Sequence, residues 1–189
     1  MGCGKSSVGR KLSELLCCRF MDLDDCIVEE AGCSIPEIFA QKGEPAFRKL
    51  EKEVLSHIIG MSSSSSSTPA SNVILALGGG AVMTEGSEEM VHDGTLCIYL
   101  KASVDTLIEH LTGETDGRPM LNQTAGSQTA LSCSSPTAMS SEAETSPLRK
   151  RILELMSKRA ATYERTARII IETDGKTIEE IATEIAGIL

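Results

Sequence analysis

Residues 1–16 read MGCGKSSVGRKLSELL, and this stretch decides the fold. Gly4, Lys5 and Ser6 match the end of the phosphate-binding loop pattern G-x-x-x-x-G-K-[ST]. The residues that follow, 7–18, place apolar side chains at helical spacing. A glycine-rich loop that runs into a helix attracts anions, because backbone N–H groups and the positive end of the helix dipole meet there. The stretch therefore predicts a site for the phosphates of a nucleotide.

In a loop of this kind the lysine bridges the β- and γ-phosphates and the next hydroxyl holds Mg²⁺. We assign these roles to Lys5 and Ser6, with ATP and Mg²⁺ as cofactors. The first glycine of the pattern would precede Met1, and so would the strand that leads into the loop, which we expect to be central in the sheet. A chance G-K-S before a helix is the alternative. The candidate ATP-binding residues of this stretch are Gly2, Cys3, Gly4, Lys5, Ser6 and Ser7.

Composition excludes several classes of function. The chain has 189 residues, which fits one domain spanning 1–189, and a net charge of −9. Duplex binding depends on a positive face, so nucleic acid is excluded as the main partner. The 7 cysteines form no C-x-x-C pair, which argues against a zinc site and suits the reducing cytoplasm.

The sequence does not predict membrane association. The longest apolar run, Val73–Leu77, is too short to cross a bilayer, and no signal peptide is visible. The opening MGCGKS also fits an N-myristoylation pattern through Gly2. The phosphate loop explains the same letters, and the helical pattern behind them favours the loop.

Helical and apolar segments alternate along the chain, which predicts an α/β fold. We expect a three-layer α/β/α sandwich with a mostly parallel sheet, of the P-loop kinase type. Four strands are predicted near Phe20, Ile74, Ile98 and Ile170, and a fifth is expected before Met1. Sites in such folds lie at the carboxyl ends of the strands.

The segments between the strands differ in composition. Residues 34–42 and 43–59 each predict a helix, the first of which begins with a capping box, S-I-P-E. Residues 61–72 are rich in serine and predict a flexible loop. Residues 112–146 predict a lid followed by a Ser/Thr-rich insertion without periodicity.

Carboxylates and glycines lie at two predicted strand ends. Asp22 and Asp24 are two residues apart, so an extended backbone points both to one face. An acid there can hold Mg²⁺ through water or accept a proton from a hydroxyl, although a capped turn would also explain it. The glycines at 78–80 end a buried strand and allow a ligand to approach the backbone closely.

Three arginines are candidates for anion binding. Arg48 and Glu51 are i, i+3 on one helix, so the carboxylate can orient the guanidinium, although an ordinary surface ion pair has the same spacing. Arg118 lies in the lid, from which a positive charge could close over the phosphoryl group being transferred. Arg159 lies on the helix after the insertion, where a solvated face would also explain it.

Taken in order, these motifs resemble those of the shikimate kinase family, small enzymes of the P-loop nucleoside-monophosphate-kinase-like group. After the loop and the D-x-D pair come G-E-x-x-F-R-x-x-E at 43–51, G-G-G-A-V at 78–82, R-P-x-L at 118–121 and R-x-x-x-Y at 159–163. Each motif alone is weak. The ordered set covers nearly the whole chain outside the two Ser-rich stretches, and it is specific.

The resemblance implies transfer of the ATP γ-phosphoryl group to the 3-hydroxyl of shikimate, in the pathway to chorismate and the aromatic amino acids. It implies that Asp24, Lys5 and Arg118 are catalytic, that Arg118 also contacts ATP, and that Asp22 and Ser6 serve the metal. Glu51 is implied to position one of the arginines that bind the shikimate carboxylate. The implied shikimate-binding residues are Asp24, Arg48, Gly78, Gly79, Gly80 and Arg159. Members of the family are commonly monomers, so we expect a cytoplasmic monomer.

Two alternatives remain open from the sequence. Another small P-loop kinase, acting on gluconate or a nucleoside monophosphate, would use the same loop. An acceptor without a carboxylate, however, leaves Arg48 and Arg159 without a ligand group. A nucleotide-binding protein without turnover is the other alternative, because the loop pattern is incomplete at Met1.

Overall fold

The computed structural model of the chain describes residues 2–64, 72–112 and 146–189. Helices and strands alternate through these ranges, as the sequence predicts. The elements are α1 (Lys5–Leu15), β1 (Arg19–Asp22), α2 (Leu23–Ala31), α3 (Ile35–Ser64), β2 (Val73–Ala76), a 3₁₀ turn (Ala81–Met83), α4 (Ser87–Gly94), β3 (Ile98–Lys101), α5 (Val104–Thr112), α6 (Pro147–Thr166), β4 (Ile169–Glu172) and α7 (Ile178–Ile188).

The strands pair in parallel, as predicted, but they form two sheets of two strands each. In the first sheet β1 pairs with β2, and Asp22 lies opposite Ala76 at the carboxyl end. In the second sheet β3 pairs with β4, and Lys101 lies opposite Glu172. The first register places the residues after Asp22 beside those after Ala76, so the acidic pair and the glycine run leave the sheet at the same edge.

Helix α1 joins the two strand pairs through a common core. Its buried residues Val8 and Leu12 form one hydrophobic cluster with Leu100 of β3, Ile171 of β4 and buried residues of α7. Ile74 of β2 packs against the same cluster. The helix that begins at the phosphate loop is thus held by apolar contacts with both sheets, which is where most of the stability of a short helix comes from.

A second core lies under α2 and α3. It contains the buried residues Leu23 and Ile27 of α2, Phe47 and Leu55 of α3, and Val91 of α4. The rings of Phe47 and Phe39 stack with their centroids 4.7 Å apart. This core fixes the face of α3 that carries Arg48 and Glu51.

The ends of several helices follow the expected local chemistry. Helix α2 ends at Gly32, whose left-handed backbone is typical of a helix C-terminus. At the predicted capping box, the Glu37 carboxylate accepts from the backbone N–H and the hydroxyl of Ser34, at 2.8 and 2.6 Å. Helix α7 begins with a complete capping box between Thr177 and Glu180.

Helix α3 confirms one prediction and corrects another. The two helices predicted on either side of Gly43 are present within the span of α3 and meet at a kink, where Gly43 has φ 78° and ψ 171°, a conformation that favours glycine. Pro45 follows in the first turn after the break, where its missing N–H is tolerated. The helix then runs to Ser64, so the loop that we predicted from residue 61 is wrong for residues 61–64. The rest of that predicted loop, 65–71, lies outside the described residues.

The predicted lid and insertion fall almost wholly outside the described residues as well. Thr112 ends α5, and Ser146 precedes α6. Within the described ranges, no helix is long and apolar enough to span a membrane.

We expect Gly9→Ala to destabilise the fold by roughly 1–3 kcal/mol, the usual cost of overpacking a core. A Cβ on Gly9 would lie 2.6 Å from Cε2 of Phe20 and 3.6 Å from Ile74, because α1 packs closely against the first sheet. Chemical denaturation followed by circular dichroism measures the change.

Gly60→Ala is the matched control for Gly9→Ala. Gly60 is also helical, and beyond the adjacent backbone a Cβ there would meet no heavy atom of the described residues within 4 Å. We expect this variant to gain about 0.5–1 kcal/mol in stability from helix propensity. Equal stability of the two variants would contradict close packing at Gly9.

Candidate active site

The site begins at the phosphate loop, where the backbone is shaped by two glycines. Gly2 and Gly4 have φ of 68° and 73°, and Gly4 is the N-cap of α1. The carbonyl of Gly2 accepts a hydrogen bond from a ring nitrogen of His110 on α5, at 2.7 Å. A Cβ on Gly2 would lie 3.0 Å from Cγ of Leu111. The loop is therefore tied to α5, and Lys5 is the first residue of the helix at its anion-binding end.

Ser6 and Asp22 connect the loop to the end of β1. The Ser6 hydroxyl donates to Oδ2 of Asp22 at 2.6 Å. The other oxygen, Oδ1, accepts from the backbone N–H of Asp24 at 3.1 Å and caps α2. One carboxylate thus fixes both the loop hydroxyl and the start of the helix that carries Asp24.

Mg²⁺ prefers oxygen ligands and is usually bound by one or two carboxylates together with phosphate oxygens and water. A hydroxyl in contact with a carboxylate provides two such ligands. Among the described residues, no group of three or more His, Cys, Asp or Glu side chains could hold a metal ion by itself. Ser6 and Asp22 therefore fit a metal that arrives with a nucleotide.

The glycine run after β2 allows three side chains to approach the backbone. A Cβ on Gly78 would lie 3.2 Å from Oδ1 of Asp24 and 3.3 Å from Oε1 of Glu51. A Cβ on Gly80 would overlap the guanidinium of Arg48, at 2.8 Å from Cζ. A side chain at Gly78 or Gly80 would have to displace one of these charged groups. Neither glycine has a positive φ, so the close approach of the neighbouring side chains, rather than the backbone conformation, favours glycine here.

Arg48 is held by two carboxylates of its own helix. Its Nη1 lies 2.7 Å from Oε2 of Glu51, and its Nη2 lies 3.3 Å from Oε1 of Glu44. The Glu51 side chain is only 3% exposed, whereas that of Arg48 is 20% exposed. The predicted pairing of Arg48 with Glu51 is therefore present, and it is mostly buried rather than an ordinary surface pair.

Burial shifts the ionisation of this pair. Burial raises the pKa of Glu51, and the hydrogen bond and charge of Arg48 oppose that rise. Burial alone would lower the pKa of Arg48, but the hydrogen bonds and charges of Glu51 and Glu44 hold it above its ordinary value. The guanidinium is therefore charged, and it depends on Glu51 for its orientation.

Helix α6 approaches the same glycines from the other side. Nη1 of Arg159 donates to the carbonyl of Gly79 at 3.2 Å, and the hydroxyl of Tyr163 donates to the same oxygen. The Tyr163 ring packs against Tyr99, with centroids 5.3 Å apart. Burial raises the pKa of Tyr163, so the hydroxyl remains a donor at neutral pH.

A cavity of about 500 Å³ lies between α3, α6 and the 3₁₀ turn. Four of the side chains that line it are cationic and one is a carboxylate, in a chain whose net charge is −9. Such a concentration of positive charge attracts a small anion. The lining residues are Glu44, Arg48, Met83, Thr84, Arg151, Leu155, Lys158 and Arg159.

The structure brings together most of the residues that the sequence singled out. Arg48 and Arg159 line one cavity, and the charge of Arg159 acts on Glu51. Asp24 lies beside Gly78, at the same edge. Arg118 lies outside the described residues, so its role stays a prediction.

Sequence reasoning gave no role to three residues of α6. Arg151 and Lys158 line the cavity, and Tyr163 binds the Gly79 carbonyl. Helical spacing groups them with Arg159, because Arg151 and Lys158 are seven residues apart and Tyr163 lies four residues after Arg159. The sequence did not show that this face is directed towards the glycine run.

The whole chain matches one family model. The model is described as shikimate kinase, and the match covers residues 1–189. The shikimate kinase of Nitrosospira multiformis is 35% identical over 186 residues, which cover 98% of this chain and 79% of the relative. A shikimate kinase of Thermus thermophilus is 34% identical over 185 residues, which cover 98% of this chain and 83% of the relative.

Solved structures agree with the curated relatives. A shikimate kinase from Acinetobacter baumannii in complex with shikimate matches with a TM-score of 0.77 and 26% identity, over 100% of this chain and 87% of that chain. A shikimate kinase from Aquifex aeolicus matches with a TM-score of 0.70 and 27% identity, over 98% of this chain and 89% of that chain.

We expect Glu51→Gln to reduce the free energy of unfolding by roughly 2–3 kcal/mol, since it leaves the partly buried Arg48 with weaker compensation. Urea denaturation at neutral pH measures this loss. Glu53→Gln is the matched control, because Glu53 pairs with Lys49 on the same helix at 3.7 Å and both side chains are mostly exposed. That variant should change stability by less than about 0.5 kcal/mol. Equal losses in the two variants would contradict a special role for the buried pair.

Proposed function

The chain belongs to the shikimate kinase family, and from this premise we propose how its residues divide the phosphorylation of shikimate by ATP. The P-loop kinase fold and the enzyme class agree with the sequence prediction. The observation that carries the assignment of residues is the cationic cavity between α3 and α6, which adjoins the glycine run and, through it, Asp24 and the phosphate loop.

Arg48 and Arg159 bind the carboxylate of shikimate in this proposal. Both guanidinium groups line the cavity, and each is already held by a protein acceptor, Glu51 or the Gly79 carbonyl. A charged donor fixed in this way binds a carboxylate with defined geometry. The backbone at 78–80 forms the adjoining wall, where the absence of side chains on Gly78 and Gly80 lets Asp24 and Arg48 lie close to it.

Asp24 orients the acceptor hydroxyl and accepts its proton. The carboxylate lies in the first turn of α2, beside Gly78, and Asp22 fixes the start of that helix. A positioned carboxylate is the group that removes a proton from an alcohol as it attacks phosphorus. We assign metal binding to Asp22 because it contacts the Ser6 hydroxyl, and proton transfer to Asp24 because it lies beside Gly78.

The start of α1 binds the phosphates of ATP. We propose that the backbone of residues 2–7 and the Lys5 ammonium hold them, and that Ser6 and Asp22 hold Mg²⁺. When bound there, Mg²⁺ would neutralise the negative charge that develops on the phosphates during transfer. In this proposal Arg118 places a further positive charge beside the phosphoryl group that is transferred.

The cellular setting completes the proposal. We propose a cytoplasmic monomer, because family members are commonly monomers and the cysteine pattern suits a reducing compartment.

Release of ADP tests the function directly. The chain is incubated with ATP and Mg²⁺ and with shikimate, gluconate or no acceptor, and ADP is followed by a coupled spectroscopic assay. We expect ADP release when shikimate is the acceptor, and none with gluconate or without an acceptor. Turnover with gluconate but not with shikimate would overturn the assignment, and so would ATP binding without any turnover.

The role of Asp24 predicts a specific loss in Asp24→Asn. We expect kcat to fall by roughly 10²–10⁴-fold, the usual contribution of a general base, while KM for ATP changes little. Steady-state kinetics with both substrates measure the two constants. Asp25→Asn is the control, because Asp25 is the next residue in the same first turn of α2 and carries the same charge. A similar loss in both variants would assign the effect to charge near the helix rather than to Asp24.

A further inference from the structure

One face of α6 carries more positive charge than the proposed function uses. Arg151, Leu155, Lys158 and Arg159 lie at i, i+4, i+7 and i+8, and all four line the cavity. Arg159 is assigned to the substrate carboxylate, and Leu155 is a buried apolar residue. Arg151 and Lys158 have no role in the chemistry described so far.

Glu154 holds these two cations side by side. Its Oε2 lies 3.1 Å from Nη1 of Arg151, and its Oε1 lies 2.8 Å from Nζ of Lys158. Hydrogen bonds from Lys158 and Arg151 lower the pKa of Glu154, so the carboxylate stays ionised at neutral pH. The three side chains together carry a net positive charge, and the carboxylate limits their rotation.

The cationic side chains that line the cavity differ in their exposure to solvent. The Lys158 side chain is 66% exposed and that of Arg151 is 27% exposed, whereas that of Arg48 is 20% exposed. Glu44, the carboxylate among the lining residues, is already paired with Arg48. Lys158 is the most exposed of the three cations, so an anion that enters from solvent meets Lys158 first, and Glu154 holds Arg151 beside it.

We propose that Arg151 and Lys158 form an outer capture position for the carboxylate of the acceptor, at the entrance of the cavity. The proposal rests on the proposed function, because it takes shikimate as the acceptor. Charges of one sign around a cavity raise the local concentration of an oppositely charged substrate and its rate of association, and salt screens this effect. The outer position therefore acts on capture, and the phosphoryl transfer step does not depend on it.

The simpler explanation is a solvated ion-pair network on an exposed helix. Pairs at i, i+3 and i, i+4 are common and contribute little to stability. Under that explanation, removal of either charge would leave substrate capture unchanged. The two explanations differ in kinetics, and they can be separated with conservative variants.

The test compares Arg151→Gln and Lys158→Gln with Lys150→Gln. Lys150 lies on the same helix, is exposed and is not among the residues that line the cavity, so its variant controls for the loss of one positive charge. We expect kcat/KM for shikimate to fall roughly threefold to tenfold in the first two variants at low salt, with kcat unchanged. At about 0.5 M salt the differences should vanish, because screening then acts over a few ångströms.

A neutral substrate provides the second comparison. The methyl ester of shikimate has no carboxylate charge, so wild type and Arg151→Gln should then have the same kcat/KM. Calorimetric titration of shikimate measures Kd without turnover, and Kd should rise in parallel with KM. Thermal unfolding of each variant verifies that the fold is intact.

Any of three results would overturn the proposal. The first is that Arg151→Gln, Lys158→Gln and Lys150→Gln have the same kcat/KM at low salt. The second is a loss of kcat/KM in the first two variants that persists with the neutral ester, and the third is an unaltered Kd for shikimate. Binding of shikimate without ADP release would reject the proposed function alone, and the Kd comparison would still decide the capture position. Absence of shikimate binding by wild type would reject both.

Discussion

The contact between the Arg48 guanidinium and the backbone of Gly80 is the constraint on which the rest of the site depends. The guanidinium occupies the space that a Cβ on Gly80 would need, and Glu51 fixes its orientation from within α3. Glu51 in turn lies against Gly78. Two charged side chains and a stretch of bare backbone therefore fit together only if α3 and the end of β2 keep their separation, and the core around Phe47 maintains it.

The phosphate loop and the start of α2 are coupled through hydrogen bonds. Asp22 accepts from the Ser6 hydroxyl and from the N–H of Asp24, so the loop and the helix that carries Asp24 share one anchor. Gly79 accepts from Arg159 and Tyr163, which joins α6 to the glycine run. The apolar contacts of α1 with β2, β3 and β4 hold the start of α1 against both strand pairs.

The sequence predicted those features that depend on the pattern of neighbouring residues. The structure contains the four strands predicted within the chain, the end of α2 at Gly32 and the Arg48–Glu51 pair. Each of these follows from the spacing of residues along the chain. The ordered motifs also predicted the family. The end of α3 was not predicted, because a serine run is compatible with a loop as well as with a helix extension stabilised by its neighbours. The roles of Arg151, Lys158 and Tyr163 depend on how α6 packs against residues far away in the chain, and spacing alone does not give that orientation.

The shared acceptor at Gly79 and the paired carboxylates at Arg48 have a consequence for the thermodynamics of binding. A long side chain that is free in solution loses rotational entropy when a ligand immobilises it, at about 0.5–1.5 kcal/mol for each side chain. Here, folding has already immobilised both guanidinium groups, because Glu51 and the Gly79 carbonyl hold them in the absence of a ligand. A small ligand with few atoms can therefore retain most of its contact enthalpy as affinity.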